Sequence, residues 1–227
     1  MGKDLKLKKR AMNFIKESNK YKYTYHFSWL GRPIIQVPQD IIAIQEIIWK
    51  VKPELILETG IAHGGSLIFS SSMLELIGKG KVVGIDIDIR HHNRIAIQKH
   101  SLYKRIIMIQ GSSIEKNTIS KVKKFTKGKK KIIVILDSSH THNHVLKELQ
   151  LYSPFVKKGS YLIVLDTAIE DMPKNSFKNR PWDKKNNPKT AVREFLKTNN
   201  RFEIDKEYDD KLLITSAPEG FLKCIKT

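Results

Sequence analysis

One cysteine, Cys224, stands in 227 residues, so no disulfide can close within the chain. That excludes a disulfide-stapled scaffold and points to a reducing, cytoplasmic setting. Long apolar runs are missing too: no segment approaches the about 20 residues of a membrane span. The N-terminal MGKDLKLKKRAMNFIKES lacks the apolar core of a secretory signal. No internal repeat and no second domain are visible, and the length fits one α/β domain. Acidic residues are scarce, 23 Asp+Glu against 42 Lys+Arg, which leaves a net charge of +19. Such an excess invites a nucleic-acid partner. The lysines are scattered, however, along a chain very rich in isoleucine, and two clusters stand out, residues 3–10 and 127–131. An anionic saccharide, a lipid head group or a membrane surface is served equally well by these charges, and nucleic acid is the less favoured partner.

Residues 1–37 read as a basic leader with Tyr21, Tyr23, Tyr25, Phe27 and Trp29. The alternation of the tyrosines with polar residues predicts a short strand or a lid. Pro38 opens a helix with Ile41, Ile42, Ile44, Ile47 and Ile48 on one face, and Pro53 stops it. Strands are expected at 55–57, 82–87, 105–109, 132–136 and 161–165, with helices at 66–77, 91–100, 113–125 and 142–155 between them. The strands are near-continuous Val/Ile/Leu runs, as parallel strands buried on both faces require. Alternating strands and helices predict a doubly wound, Rossmann-like α/β sheet in a single domain over residues 38–227. Residues 171–190, with three prolines and four asparagines, read as a long functional loop. A helix near 190–197 follows. Two closing strands are then expected in FEIDKEY and KLLITSAPEGFLKCI, joined by a turn at Asp209–Asp210.

The segment LILETGIAHGGSLIF, residues 55–69, carries the most chemistry. An apolar strand ends at Glu58, a turn with Gly60, Gly64 and Gly65 follows, and a helix starts at Ser66. Glycine lets the backbone bend and approach a ligand closely, and the helix start offers free N–H groups to an anion. The spacing is not the dinucleotide fingerprint G-x-G-x-x-G. A glutamate before the glycines suits a ligand that carries a cation, such as the amino group of S-adenosylmethionine (SAM). A tight turn with no ligand is the plainer alternative.

Ligands of such sheets sit beyond the carboxyl ends of the strands. The second strand end offers Asp86, 28 residues after Glu58, able to bind both ribose hydroxyls. The third offers Ser112 and Ser113, suited to an adenine edge or to capping a helix with Glu115. The fourth offers Asp137 and His140, the fifth Asp166. Asp137 and Asp166 should end neighbouring strands, where two carboxylates suit Mg²⁺ or cap the next helices. An imidazole can remove a proton at neutral pH, which makes His140 the candidate general base. His140, His142 and His144 also leave zinc conceivable, although no cysteine accompanies them. His63 reads as a loop histidine.

Several segments resemble the cephalosporin hydroxylase/rhamnosyl O-methyltransferase family: ETGIAHGGSLIF (58–69), VVGIDIDIR (82–90), GSSI (111–114), LDSSHTHNHVLKEL (136–149), GSYLIVLDT (159–167), RPWDKKNNPKTAV (180–192) and KLLIT (211–215). The resemblance implies a class I SAM-dependent methyltransferase with seven strands, the last antiparallel, and self-association into a homo-oligomer. More distant, metal-dependent relatives carry a metal Asp and a base Lys three residues apart; Asp137 and His140 match, with His replacing Lys. Asp166 matches the second metal ligand. Thr167 stands where those relatives have an asparagine ligand, with Glu170 and Asp171 as nearby substitutes, and Leu165 where some members of the named family have an acid.

The expected reaction is SAM-dependent, Mg²⁺-assisted O-methylation of a hydroxyl on a sugar or small polyoxygenated metabolite. Glu58, Gly60, Gly64, Gly65 and Ser66 would hold the methionine end, Asp86 the ribose, and Ser112 and Ser113 the adenine. Asp137 and Asp166 would hold Mg²⁺, and His140 would take the proton. Arg180, Trp182 and Asn187 would form an acceptor-side lid. Two alternatives stay open: a hydroxylase, as the family's name suggests, and a SAM-binding or basic RNA-binding protein. The DSSH after the fourth strand lacks the Asn/Asp-Pro-Pro-Tyr signature of amino-methylating nucleic-acid enzymes.

Overall fold

The computed structural model describes residues 1–227. Seven strands form one sheet: β3 (Leu55–Thr59), β4 (Lys81–Asp86), β5 (Ile106–Gln110), β6 (Ile132–Leu136), β7 (Tyr161–Val164), β8 (Phe202–Ile204) and β9 (Phe221–Cys224). Their spatial order is β5-β4-β3-β6-β7-β9-β8. The first five run parallel, and β9 lies antiparallel between β7 and β8. The strand order therefore reverses at the β3–β6 junction, the place where open α/β sheets bind ligands.

Residue alternation along each strand splits the core into two layers. Ile56, Val82, Ile133 and Ile135 meet α2 (Pro38–Val51) and α3 (Gly65–Ile77) on one face. Leu55, Leu57, Val83, Val134 and Leu136 meet α5 (Lys116–Thr126), α6 (His142–Tyr152) and α7 (Pro188–Thr198) on the other. With both faces covered, the strands carry no polar alternation, which is why they read as unbroken apolar runs.

Three expectations change. The leader is folded: α1 (Leu5–Asn19) starts at Asp4, whose side chain accepts from the Leu7 amide at 2.9 Å, a conventional N-cap. Tyr23–His26 is a 3₁₀ turn rather than a strand, and a short hairpin of β1 (Ser28–Trp29) and β2 (Arg32–Pro33) follows. Trp29 pins that hairpin to α3, donating to Ser72 at 3.1 Å and meeting Phe69 edge-on. Second, Asp209–Asp210 is not a turn: it lies within α8 (Lys206–Lys211), capped by Asp205 through the Glu207 amide. KLLIT is correspondingly no strand, and the last strand begins at Phe221. Third, α5 starts at Lys116, and Glu115 precedes it without a side-chain cap. Ser112 and Ser113 lie in the bend before it, free of the helix. No helix is long and apolar enough to cross a membrane.

Candidate active site

The register of the parallel strands lines up their ends. Leu136 pairs with Thr59 and Ile85 pairs with Thr59 from the other side, so Asp137, Gly60 and Asp86 form a row one step beyond. The Gly60 amide donates to the Ile85 carbonyl at 2.7 Å, and the Asp137 amide to the Thr59 carbonyl at 2.9 Å. Gly60 has φ +90°, and a Cβ there would lie 2.0 Å from the Asp137 carbonyl oxygen. Only glycine fits this row. Gly65 is constrained differently: a Cβ would meet the Pro33 carbonyl at 2.2 Å, so the β1–β2 hairpin sits directly on the glycine turn. Gly64, in the left-handed conformation, is the N-cap residue of α3.

The turn is held from three sides. Asp86 accepts from the Ile61 and Ala62 amides at 2.8 and 3.3 Å and from the Asp88 amide at 3.0 Å. Asn93 donates to the Ala62 carbonyl at 2.9 Å. Arg32 donates to the His63 carbonyl and to Asn93. Arg32 and Asn93 escape sequence inspection because each is distant in the chain from the turn it braces. His63 contributes its carbonyl to this clamp.

Two connected hollows open above the row. The larger, about 1130 Å³, is lined by Gly60, Asp86, Ser112, Ser113, Asp137, His140 and Asp166 among others. Small-molecule sites need about 300–1,000 Å³, so there is room for two ligands side by side. The smaller, about 40 Å³, is lined by Gly65, Ser66, Gly60, Gln36 and Asp137. Glu58 lines neither. It is 1% exposed beneath the turn and accepts from the Ser66 hydroxyl through Oε1, while Oε2 has no partner. Burial pushes its carboxyl up to about 7, with the Ser66 hydrogen bond pulling the other way. Gln36, missed by the sequence reading, is likewise buried with an unpartnered Oε1. The orphaned Gln36 acceptor lines the smaller hollow and suits a ligand that brings N–H donors, as an ammonium does.

On the opposite side, Asp137, His140 and Asp166 place one ligand atom each within 4.8 Å of one another. His140 Nε2 lies 3.1 Å from Asp166 Oδ2. Burial, then the charges of Asp166, Glu58 and Glu148, hold the Asp137 carboxyl well above the usual carboxylate range. Mutually repelling carboxylates with open oxygens fit a cation. The set is one histidine and two carboxylates, the converse of the two-His facial triad of iron oxygenases. Leu165 is buried in the core, and Asp166 leaves β7 with a left-handed φ of 55° to begin the 3₁₀ turn Thr167–Asp171.

That turn overrules the proposed substitutes for a third ligand. Thr167 is fully buried and donates to the Pro218 carbonyl at 2.6 Å. Glu170 accepts from the Lys185 amide and the Asn187 side chain, and Asp171 from Lys189 at 2.5 Å. Both acids brace residues 183–189 because a 3₁₀ turn points them away from Asp137. Asn187 is also structural: it is buried and caps α7 in a capping box. Arg180 and Trp182 do line the cleft, and Trp182 meets His140 edge-on at 4.7 Å between ring centroids.

The three histidines do not converge. α6 begins at His142, so His140 precedes the helix. His142 binds Thr190 at 2.8 Å and Glu194 at 3.1 Å. His144 Nε2 lies 3.1 Å from the Ser113 hydroxyl, 3.2 Å from that of Ser138, and 3.5 Å from Glu148. No zinc trio exists. Ser113, already engaged by His144 and nearly buried, leaves Ser112 as the freer hydroxyl on that wall.

The sequence model of the Rhamnosyl O-methyltransferase/CmcI family matches residues 21–225. A protein of Mycobacterium bovis (strain BCG / Pasteur 1173P2) named Rhamnosyl O-methyltransferase is 30% identical over 189 residues, covering 81% of this chain and 72% of its own length. A solved structure of cmcI with Mg and SAM is similar with a TM-score of 0.62, at 18% identity over 88% of this chain and 77% of that one. The O-methyltransferase from Bacillus cereus in complex with SAH is similar with a TM-score of 0.57, at 14% identity over 96% of this chain and 91% of that one. At these identities the solved structures speak for the fold.

Proposed function

The chain belongs to the rhamnosyl O-methyltransferase/CmcI family, and from that membership we propose that its cleft methylates a hydroxyl of a sugar or small polyoxygenated acceptor, with SAM as methyl donor and Mg²⁺ as the assisting ion. The observation that carries this reading is the convergence of Asp86, Gly60, Asp137, His140 and Asp166 on one cleft large enough for donor and acceptor together.

Asp86 holds the ribose hydroxyls and, by gripping the Ile61 and Ala62 amides, keeps the glycine turn open for the nucleoside. Gly60 and Gly64 let the backbone pass close to the ligand. Gly65 and Ser66 present the start of α3 to the methionine carboxylate. Gln36 offers an unpartnered oxygen to the ammonium, and Glu58 acts through the Ser66 hydroxyl from which it accepts. Ser112 and His144 face the adenine edge, with Ser113 fixing His144.

Asp137 and Asp166 would hold Mg²⁺, and the charge it would supply there makes a nearby acceptor hydroxyl more acidic. His140, next to Asp166 and against Trp182, removes the hydroxyl proton, and its neighbour's carboxylate stabilises the imidazolium that forms. Trp182 and Arg180 cover the acceptor side and exclude water. Alignment of the two substrates supplies most of the acceleration, since well-oriented reactants reach effective molarities of ~10⁵–10⁸ M.

The decisive experiment is calorimetric titration with S-adenosylhomocysteine (SAH), followed by transfer of labelled methyl from SAM to a panel of rhamnosides and other glycosides, with Mg²⁺ and with chelator. SAH binding with Mg²⁺-dependent labelling of a hydroxyl supports the reading. Oxygen consumption without SAM turnover would replace it with hydroxylation.

A further inference from the structure

One fully buried acid has no place in the reaction above. Asp40 stands in the first turn of α2, where an acid ordinarily faces the helix start. Here its side chain turns away, to the segment before β9. The Thr215 hydroxyl donates to its Oδ1, and the Ser216 amide and hydroxyl donate to its Oδ2 at 2.8 and 2.9 Å. Burial pushes the carboxyl up to about 6, with these hydrogen bonds pulling the other way. A desolvated acid with no cation beside it contributes little as packing, so its acceptor oxygens are the reason for its place.

The segment it grips is the bed of the Asp166 turn. The Ser216 carbonyl accepts from the Ala168 amide at 3.0 Å, and the Pro218 carbonyl from the Thr167 hydroxyl at 2.6 Å. The Thr215 hydroxyl also accepts from the Ala217 amide at 2.9 Å, which tightens the bend. Thr167 and Ala168 directly follow Asp166. At φ +55° Asp166 keeps a left-handed backbone that a non-glycine residue holds only when its surroundings impose it. Ser216 also lines the cleft and an adjoining apolar recess under α1. Contacts therefore run unbroken from Asp40 through 215–216 and 167–168 to the carboxylate beside His140.

We propose that Asp40 is a positioning residue for metal binding: by clasping Thr215 and Ser216 it holds the backbone of Asp166 so that Asp166 and Asp137 can share one cation. Asp40 touches neither the cation nor the substrates. The proposal rests on the assignment of Asp137 and Asp166 as the metal pair, and it adds a determinant of that site on a helix that contributes no ligand.

The test is binding of Mn²⁺, an ion of the same oxygen-ligand class as Mg²⁺, to the full chain, read from the spin-resonance signal of the free ion. Asp40→Ala should weaken Mn²⁺ binding at least tenfold and leave SAH affinity within twofold. Asp40→Asn keeps a carbonyl oxygen for Ser216 and can donate to the Thr215 hydroxyl, so it should stay within threefold of wild type. In turnover, Asp40→Ala should raise half-saturating Mg²⁺ by the same factor and leave the rate at saturating Mg²⁺ within threefold, a split that general loss of stability does not produce. Unchanged Mn²⁺ affinity in Asp40→Ala overturns the proposal. An equal loss in Asp40→Asn overturns it too, because charge rather than geometry would then be at work. Thr215→Val removes one arm of the clasp and should weaken Mn²⁺ binding at least twofold; it decides the matter if Asp40→Ala does not fold, and no change overturns the proposal. A wild-type chain that binds no Mn²⁺ removes the metal assignment and this proposal together, whereas tight wild-type binding with indifferent variants removes the proposal alone.

Discussion

His140 Nε2 stands 3.1 Å from Asp166 Oδ2, across the gap between the loop after β6 and the end of β7. The side chains are 26 residues apart in sequence and meet because β6 and β7 are hydrogen-bonded neighbours. The contact would couple the proposed proton acceptor to a proposed metal-binding carboxylate. His140→Ala should lower kcat by ~10²–10⁴, the usual contribution of a positioned base. SAH affinity should stay within about twofold by calorimetry, since no adenosyl contact is assigned to this ring. A variant with wild-type turnover would remove His140 as base.

Asp137 offers its carboxylate to no protein donor and is held well above the usual carboxylate range by burial and then by the charges of Asp166, Glu58 and Glu148. Asp137→Asn should make residual methyl transfer indifferent to chelator, at a rate no higher than that of chelated wild type. Activity measured against Mg²⁺ concentration checks this. Retained Mg²⁺ activation in the variant would argue that another pair of groups holds the ion.

Asp86 has two duties, and a substitution series separates them. Asp86→Ala removes the acceptor for the Ile61 and Ala62 amides as well as the ribose contact, so SAH binding should vanish and thermal stability should fall. Asp86→Asn keeps one carbonyl oxygen for the Ile61 and Ala62 amides but loses the bond from the Asp88 amide, so it should lose less stability than Asp86→Ala while SAH affinity drops about tenfold or more. Equal SAH affinity in wild type and both variants would detach this residue from the ribose.

Glu58 predicts a pH dependence of stability. Its carboxyl is raised by burial from 4.5 to about 7, so the folded chain binds more protons than the unfolded one between those values. Stability contributed by the neutral acid is therefore full below about 4.5 and is lost as pH rises through about 7, a swing on the order of 3 kcal/mol. In ligand-free protein, Glu58→Gln should melt at nearly the wild-type temperature at low pH and several degrees higher at pH 8. A temperature difference that does not grow with pH would contradict the buried neutral acid.

Gly60→Ala places a methyl group against the Asp137 carbonyl at a φ of +90°. Strain of this kind costs about 1–3 kcal/mol even before the clash is relieved. The variant should lose stability in denaturant titration and lose SAH and Mg²⁺ responses together, because the β3–β6 row is displaced. Gly78→Ala, which meets nothing within 4 Å, bears the left-handed backbone penalty alone and should lose less stability and keep both responses.

Much of the fold was readable because hydrophobic burial leaves a local record. Residues 132–136 are apolar throughout and form β6 with those same limits. Helix α3 begins one residue before its expected start, at the glycine whose lack of a side chain admits the Pro33 carbonyl. The C-terminal segment was misread because KLLIT is as apolar as a strand yet lies in a connection, while α8 is set by the Asp205 cap and by burial of Tyr208. Helix α1 went unread because it buries one residue, Ala11, and most of its residues are polar or charged.

The chain alone determined the order of strands and helices from α2 to α7 and the chemistry present at each strand end, since both follow from side-chain type and near-neighbour spacing. Tertiary structure decided which of those groups face the cleft. It turned Thr167, Glu170 and Asp171 away from the metal cluster, sank Glu58 beneath Ser66, parted the three histidines, and laid α1 over an apolar recess. Orientation depends on backbone turns and on partners more than a hundred residues away, as in the clasp of Asp40 on Ser216 at 2.8 Å, and distances of that kind leave no trace in local sequence.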